Sequence, residues 1–330
     1  MYRYLIVRLV RTSQTAMRCI GTATLLVCAA QASEWPSRPI TAVVPYAAGG
    51  NTDTMARIVS ERLGTKLGQP VIIENIAGAS GAIGASRVAH AAPDGHTLLF
   101  GAASQIIIAP LVQKTNYDSQ KDFVPISIFG AGPYILGVKP SLPAGTFQEF
   151  IAYARSNPGK LNYASAGSGG IIHLTTALLG ARAGIDMLHV PYKSGAPALN
   201  GLLTGEIDVY FGNASELLQQ ASSGRVRLLA ASSAARLPQL PDMPTVGEFY
   251  PGFRVTSWNG FLAPAGTPQA IIQLLAKETR NAAKDPAIAE RLLTLGIQPS
   301  GADPQEFAEV ISVERDFYRA AAKAAGLKIE

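Results

Sequence analysis

The sequence predicts an α/β protein of two lobes with a cleft between them. Three observations carry that expectation. Short apolar runs alternate with segments of helical periodicity along most of the chain, the pattern of parallel α/β units. Two glycine-rich turns, Pro45-Tyr46-Ala47-Ala48-Gly49-Gly50 and Ser165-Ala166-Gly167-Ser168-Gly169-Gly170, each follow a strand pattern and precede a helix pattern. A Gly/Pro interruption, Gly130-Ala131-Gly132-Pro133, separates two such series and marks a crossing between lobes.

Residues 1–32 read as a secretory leader. Arg3, Arg8, Arg11 and Arg18 precede an apolar run over 19–30, and Ala30-Gln31-Ala32 has the A-x-A form of a cleavage site. The run is shorter than the roughly 20 apolar residues of a membrane span. Val27 before Cys28 does not fit a lipoprotein site, which wants a small residue there. The whole chain has 28 Lys+Arg against 23 Asp+Glu; four of those arginines and no acid lie in the leader, leaving 24 against 23, a net of +1. The basic pI therefore belongs largely to the leader, and a nucleic-acid or membrane-surface role loses its main support. Both cysteines, Cys19 and Cys28, leave with it, so no thiol remains for catalysis, disulfide or metal.

The first series has strands at 40–44, 71–74, 97–101 and 125–129, with helices at 52–67, 81–91 and 104–111. Asn51, Thr52 and Asp53 are good capping types, and Met55, Ile58, Val59 and Leu63 then recur at helical spacing. A further strand at 134–138 continues from 125–129 through the Gly/Pro interruption. The second series follows, with strands at 161–164, 187–190, 207–211 and 226–231. Its helices fall at 146–156, where Thr146 and Glu149 fit a capping box, and at 171–183, 196–203 and 215–222. Residues 238–252, with prolines at 238, 241, 244 and 251, form an irregular connection. A strand at 255–262 re-enters the first lobe. Helices at 268–283, 286–295 and 304–325 close the chain, each beginning at or beside a proline, which a first turn tolerates. The expected division is 33–132 with 253–330 for one lobe and 133–252 for the other.

The glycine turns carry the chemistry. A helix N-terminus has unpaired N–H groups and about half a positive charge, so it suits a carboxylate or phosphate. Two such turns facing one cleft would hold an anion from both sides. The alternative for each is a connection whose glycines serve the turn alone. A third turn, Gly78-Ala79-Ser80-Gly81-Ala82-Ile83-Gly84, has the wrong spacing for a dinucleotide fingerprint and reads as a wall of the same cleft. Enzyme signals fail for the most part. Ala166 stands two before Ser168, so no G-x-S-x-G elbow forms, and His90, His96, His173 and His189 lack zinc spacing. A secreted serine hydrolase using Ser168 and His173 is the rival reading, without an acid nearby in sequence to orient the histidine. Asp53 could serve as a base, but as a first-turn residue it more simply caps its helix. Lys193 lines the cleft or is solvated surface. No cofactor and no metal is expected.

Further motifs place these turns in a wider pattern. Pro45-Tyr46-Ala47-Ala48-Gly49-Gly50 with Asp53, Gly68-Gln69-Pro70-Val71, Ala92-Pro93-Asp94-Gly95-His96, Pro158-Gly159-Lys160-Leu161-Asn162-Tyr163, His189-Val190-Pro191-Tyr192-Lys193 and Leu262-Ala263-Pro264-Ala265-Gly266-Thr267-Pro268 occur in order. In these motifs the chain resembles the Bug-type extracytoplasmic solute-binding receptors of the tripartite tricarboxylate transporter family. The resemblance spans nearly all of the chain after the leader. It implies a two-lobed periplasmic binding protein fold (type II, Venus-flytrap) and binding of small carboxylates by backbone amides of the two turns. On this sequence the implied ligand positions are Tyr46, Ala48, Gly49, Gly50, Asn51, Thr52 and Asp53 in the first lobe. In the second they are Ser165, Ala166, Gly167, Ser168, Gly169 and Gly170, while Ser80, Ser104 and Asn213 come from neighbouring turns. The implied setting is the periplasm and the implied partners are membrane subunits of such a transporter, or a sensor protein, with the receptor a monomer. Two departures stand out. Members often carry Phe-Asp-Asn where this chain has Phe211-Gly212-Asn213, which argues against an amino-acid ligand, and Ser194-Gly195 replaces the usual glycine directly after the lysine.

Overall fold

The computed structural model describes residues 35–329; the expected leader, with both cysteines, lies outside them. Residues from Arg38 onward form one compact unit. Its first elements are β1 (Ile40–Val44), α1 (Asn51–Leu67), β2 (Val71–Asn75), α2 (Ala82–Ala89) and β3 (Thr97–Gly101). A π-helical turn (Ser104–Ile108) leads into the short α3 (Ala109–Val112), and then comes β4 (Phe123–Val138). Next are α4 (Phe147–Ser156), β5 (Asn162–Ser165), α5 (Ile171–Ala183), β6 (Leu188–Pro191), α6 (Gly195–Thr204), β7 (Val209–Asn213), α7 (Ala214–Ser222) and β8 (Arg227–Ala231). The chain ends with β9 (Thr256–Pro264), α8 (Gln269–Lys284), α9 (Pro286–Thr294), β10 (Gln298–Ala302) and α10 (Pro304–Ala324).

The strand order is β2-β1-β3-β9-β4-β7-β5-β6, with β8 and β10 also paired to β4. Strand β4 has two sets of partners. It runs antiparallel to β9 from Phe123 to Pro133, and antiparallel to β7 and β8 from Tyr134 to Val138. The outer strands are parallel, β1 to β2 and β3, and β5 to β6 and β7. The sheet is therefore mixed, parallel at its flanks and antiparallel in the middle, and not parallel throughout.

The expected strands at 125–129 and 134–138 are one continuous strand. The glycines between them do not break it, because they serve close packing. A Cβ on Gly130 would stand 2.9 Å from Ile297 Cγ2, and one on Gly132 would stand 3.1 Å from the Gly296 carbonyl. Strand β10, which sequence reasoning missed, lies against this stretch, with Gln298 opposite Ala131 and Pro299 opposite Gly130. Helix α1 packs Met55, Ile58, Val59 and Leu63 inward, each almost wholly buried. Burial of each such side chain contributes about 1.5–3 kcal/mol, which fixes where the N-terminus of α1 points. The expected capping box of α4 is present, with Glu149 N–H donating to Thr146 Oγ1 at 3.2 Å.

Candidate functional site

The β1–α1 turn delivers Gly50 as N-cap of α1, with φ −85° and ψ 177° and no side-chain cap. The first N–H groups of a helix have no intrahelical partner. Asp53 does not cap the helix by itself, as expected of it; it braces the turn from the third helical position. Its Oδ2 accepts from the Gly49 N–H at 3.0 Å and from Arg57 Nε at 2.9 Å, and its Oδ1 accepts from Asn75 Nδ2 at 2.9 Å. Partial burial pushes this carboxyl up, but the bonds from Arg57, Gly49 and Asn75 outweigh it and hold Asp53 below the usual carboxylate range.

The β5–α5 turn delivers a second N-terminus. Gly167 and Gly169 take φ of +128° and +71°, the region that glycine enters freely, and Gly170 is the N-cap of α5. The first N–H of that helix, on Ile171, donates to Ser104 Oγ at 3.1 Å, which ties the second turn to the end of β3. The third turn reaches the second as well. Ser80, held at φ +54°, donates from Oγ to the Ser168 carbonyl at 2.5 Å, and its own carbonyl accepts from Gln105 Nε2 at 3.1 Å.

Tyr46, Gly50, Asn51, Thr52, Asp53, Ser104, Ala166, Gly170 and Asn213 line one void of about 40 Å³. That is room for about three waters. Ser80, Gly167 and Ser168 instead border an adjoining open groove, together with Tyr192 and Lys193. Ser165 lies behind its turn, its Oγ 2.6 Å from His189 Nε2, and the Gly169 N–H donates to His173 Nδ1 at 3.1 Å. Ala48 and Gly49 are exposed and do not line the void. The serine–histidine pair that forms is thus Ser165 with His189, while His173 packs and accepts from backbone. The rings of His173 and His189 stack 4.0 Å apart, and Tyr163 lies 5.0 Å from His189. Burial depresses both imidazoles, and their mutual repulsion adds to it at His189, which falls to about 4.

Sequence reasoning missed Glu216, which lines the same void with Tyr134, Ser194, Gly195 and Ser257. Glu216 Oε1 accepts from the Asn51 N–H at 3.3 Å, and Oε2 accepts from the Tyr210 hydroxyl at 2.8 Å. Burial raises its pKa, and bonds from Tyr210, Asn51 and Asn213 offset only part of that. The sequence signal was present but ambiguous. Asn213 and Glu216 have capping-box spacing, so the acid reads as a local helix cap.

Comparison with known proteins bears on what this arrangement does. A family model described as "Tripartite tricarboxylate transporter family receptor" matches residues 55–327. The chain is 39% identical over 284 residues to the "UPF0065 protein in tcbD-tcbE intergenic region" of Pseudomonas sp. (strain P51), covering 86% of this chain and 84% of that protein. Among solved structures, "R. palustris Rpa4515 with adipate" superposes with a TM-score of 0.87 at 34% identity, over 89% of this chain and 99% of that one. "MatC (Rpa3494) from Rhodopseudomonas palustris with bound malate" gives a TM-score of 0.84 at 34% identity, over 87% of this chain and 99% of that one. The expected two-lobed binding-protein fold is the one observed, and two of these relatives were solved with a carboxylate bound. The chain belongs to the receptors of the tripartite tricarboxylate transporter family.

Proposed function

We propose that this receptor captures a small carboxylate between the N-termini of α1 and α5 and presents it to membrane subunits of a tripartite tricarboxylate transporter. One observation carries the reading: two helix N-termini from opposite ends of the sheet open into a single void. Beyond the Asn51 and Ile171 N–H groups, which the chain itself uses, each has further first-turn N–H groups and a partial positive charge, which is what a carboxylate needs and a sugar or a cation does not. Similarity to proteins solved with adipate and with malate supports the same ligand class.

The rest of the reading belongs to the same proposal. The receptor acts in the periplasm, after loss of residues 1–32, and as a monomer. Its lobes are 33–132 with 253–330, and 133–252, a division supported by the change of β4 partners at residue 133.

A thermal-shift screen tests the proposal. Ligand at a hundred times its dissociation constant adds about 2.7 kcal/mol to stability, so the correct acid stands out from a panel of carboxylates, sugars and metal ions. Stabilisation by sugars or metal ions while every carboxylate stays silent would overturn it.

A further inference from the structure

The N-terminus of α1 is already occupied. Glu216 places its carboxylate there, 3.3 Å from the Asn51 nitrogen, and takes a second bond of 2.8 Å from Tyr210. Room for this pair comes from two glycines. A Cβ on Gly195 would run into the Glu216 carboxylate, and a Cβ on Gly212 would run into the Tyr210 ring. Glu216 enters the void from the first turn of α7. Beside it, Ser194 is 1% exposed, lines the same void, and its Oγ has no hydrogen-bond partner among the described residues.

The groups around Glu216 leave it without a cationic partner in the void. Tyr46 and Tyr134 face it from β1–α1 and β4, Tyr210 from β7, and Asn51 and Asn213 complete its surroundings. The other charged group in the wall, Asp53, is an acid already bound to Arg57. A ligand carboxylate brought to the α1 N-terminus would lie against the Glu216 carboxylate. Two carboxylates in hydrogen-bond contact cannot both be ionised, so a dicarboxylate binds there only with uptake of one proton, on the ligand or on Glu216. A hydroxyl or ammonium at that place meets an acceptor instead.

We propose that Glu216 is a specificity-determining residue. It favours monocarboxylates whose far end carries a hydroxyl or ammonium, received by Glu216 and Ser194 Oγ, over dicarboxylates, which at neutral and alkaline pH must take up a proton to bind. The carboxylate end then goes to the N-terminus of α5. This narrows the carboxylate reading above and rests on it. It also removes the reason for setting amino-acid ligands aside, because the acceptor missing at Gly212 is supplied by Glu216.

Calorimetric titration at pH 8 tests this, with three- to six-carbon acids bearing a terminal hydroxyl or amine set against dicarboxylates of equal length. The wild-type receptor is expected to bind a donor-bearing acid at least tenfold more tightly than its dicarboxylate counterpart. In Glu216→Gln the dicarboxylate should gain at least tenfold and the amino acid lose at least tenfold. A wild type that prefers the dicarboxylate, or a variant that keeps the wild-type order, overturns the assignment. Should the variant not fold, dicarboxylate affinity of the wild type between pH 6 and pH 8 decides. Entry only with uptake of one proton makes that affinity fall about tenfold per pH unit, and a flat profile overturns the assignment. Silence of every acid at both pH values would instead sink the carboxylate reading itself, and the assignment with it.

Discussion

The Ser215 hydroxyl donates to Asn51 Oδ1 at 2.7 Å, so the first turn of α7 is bound to the first residue of α1. Asn51 Nδ2 in turn donates to Asn259 Oδ1 at 3.0 Å, and Asn259 Nδ2 donates to Thr52 Oγ1 at 3.1 Å. Asn51 is 8% exposed and Asn259 is 1% exposed, so groups left without partners here have little water to turn to beyond the small void. Removing one partner of a buried hydrogen bond costs about 1–3 kcal/mol. Asn51→Ala should lower unfolding stability by that amount, read from urea denaturation of the ligand-free protein. No change in the midpoint would mean that the network is not intact in solution.

Two glycines of the site should behave differently when replaced. Gly50 has an extended φ of −85°, and a Cβ there would sit 3.6 Å from Glu216 Oε1, an ordinary contact. Gly50→Ala should hold stability to within about 1 kcal/mol and weaken binding, because its methyl group enters the void. Gly169 has φ +71° and a Cβ there would press to 2.7 Å from Val112 Cγ2. Alanine at a positive φ costs about 1 kcal/mol or more, so Gly169→Ala should melt earlier. Paired melting and titration of both variants check the contrast, which a stable Gly169→Ala would contradict.

The histidine stack makes the fold sensitive to acid. Imidazoles have an unperturbed pKa of about 6.5, and in the fold both are depressed, His189 to about 4. A depressed base binds its proton more readily in the unfolded chain. The stability it contributes is therefore complete above pH 6.5 and is lost as pH falls from there towards 4. His189→Gln, which still reaches Ser165, should lose less stability than the wild type between pH 7.5 and pH 5. Parallel loss in the two proteins would show that the ring is solvated and titrates normally.

Glu314 works in the opposite direction. Burial raises it to about 7, against the opposing bond from Trp258 and the charge of Arg254, with Trp258 Nε1 donating to Oε2 at 2.7 Å. A raised acid contributes stability that is complete below the unfolded value near 4.5 and is lost as pH rises through 7. Glu314→Gln keeps an acceptor for the indole and cannot ionise. It should therefore exceed the wild type in stability at pH 8 and show no gain at pH 5, as measured by denaturant unfolding at both values.

What was legible in the sequence was local. The β1–α1 and β5–α5 turns could be read because their strand, glycine and helix signals lie within a dozen residues, and the Thr146–Glu149 box because it closes within one turn. Features set by distant neighbours were not legible. Gly130 and Gly132 look like a break until β10 is seen pressing on them, and Pro299 and Gly301 hide β10 itself. Asp53 was read as a cap, yet its three partners include Asn75, 22 residues away. Glu216 was invisible for the same reason: its bond to Asn51 spans 165 residues, while its spacing from Asn213 offers a sufficient local explanation.

Closure of the two lobes should depend on the few polar bonds that join the turns. The Ser80 hydroxyl holds the Ser168 carbonyl, Ser104 Oγ accepts from the Ile171 N–H, and Glu216 accepts from the Asn51 N–H. Each of these links an element of one flank of the sheet to an element of the other, and each lies beside the void or its groove. An empty receptor can open only by breaking them, while a ligand that touches both N-termini favours the closed form. Ser104→Ala removes one link without adding bulk. Losing a hydrogen bond worth about 1 kcal/mol shifts the closed fraction, and so the apparent affinity, by about fivefold. The ligand-saturated form should keep its dimensions, since binding still selects the closed arrangement. Small-angle scattering is then expected to show a larger radius of gyration for empty Ser104→Ala than for the empty wild type, and equal radii at saturation. Superimposable curves for empty and saturated receptor, in wild type and variant alike, would rule out a ligand-driven closing motion.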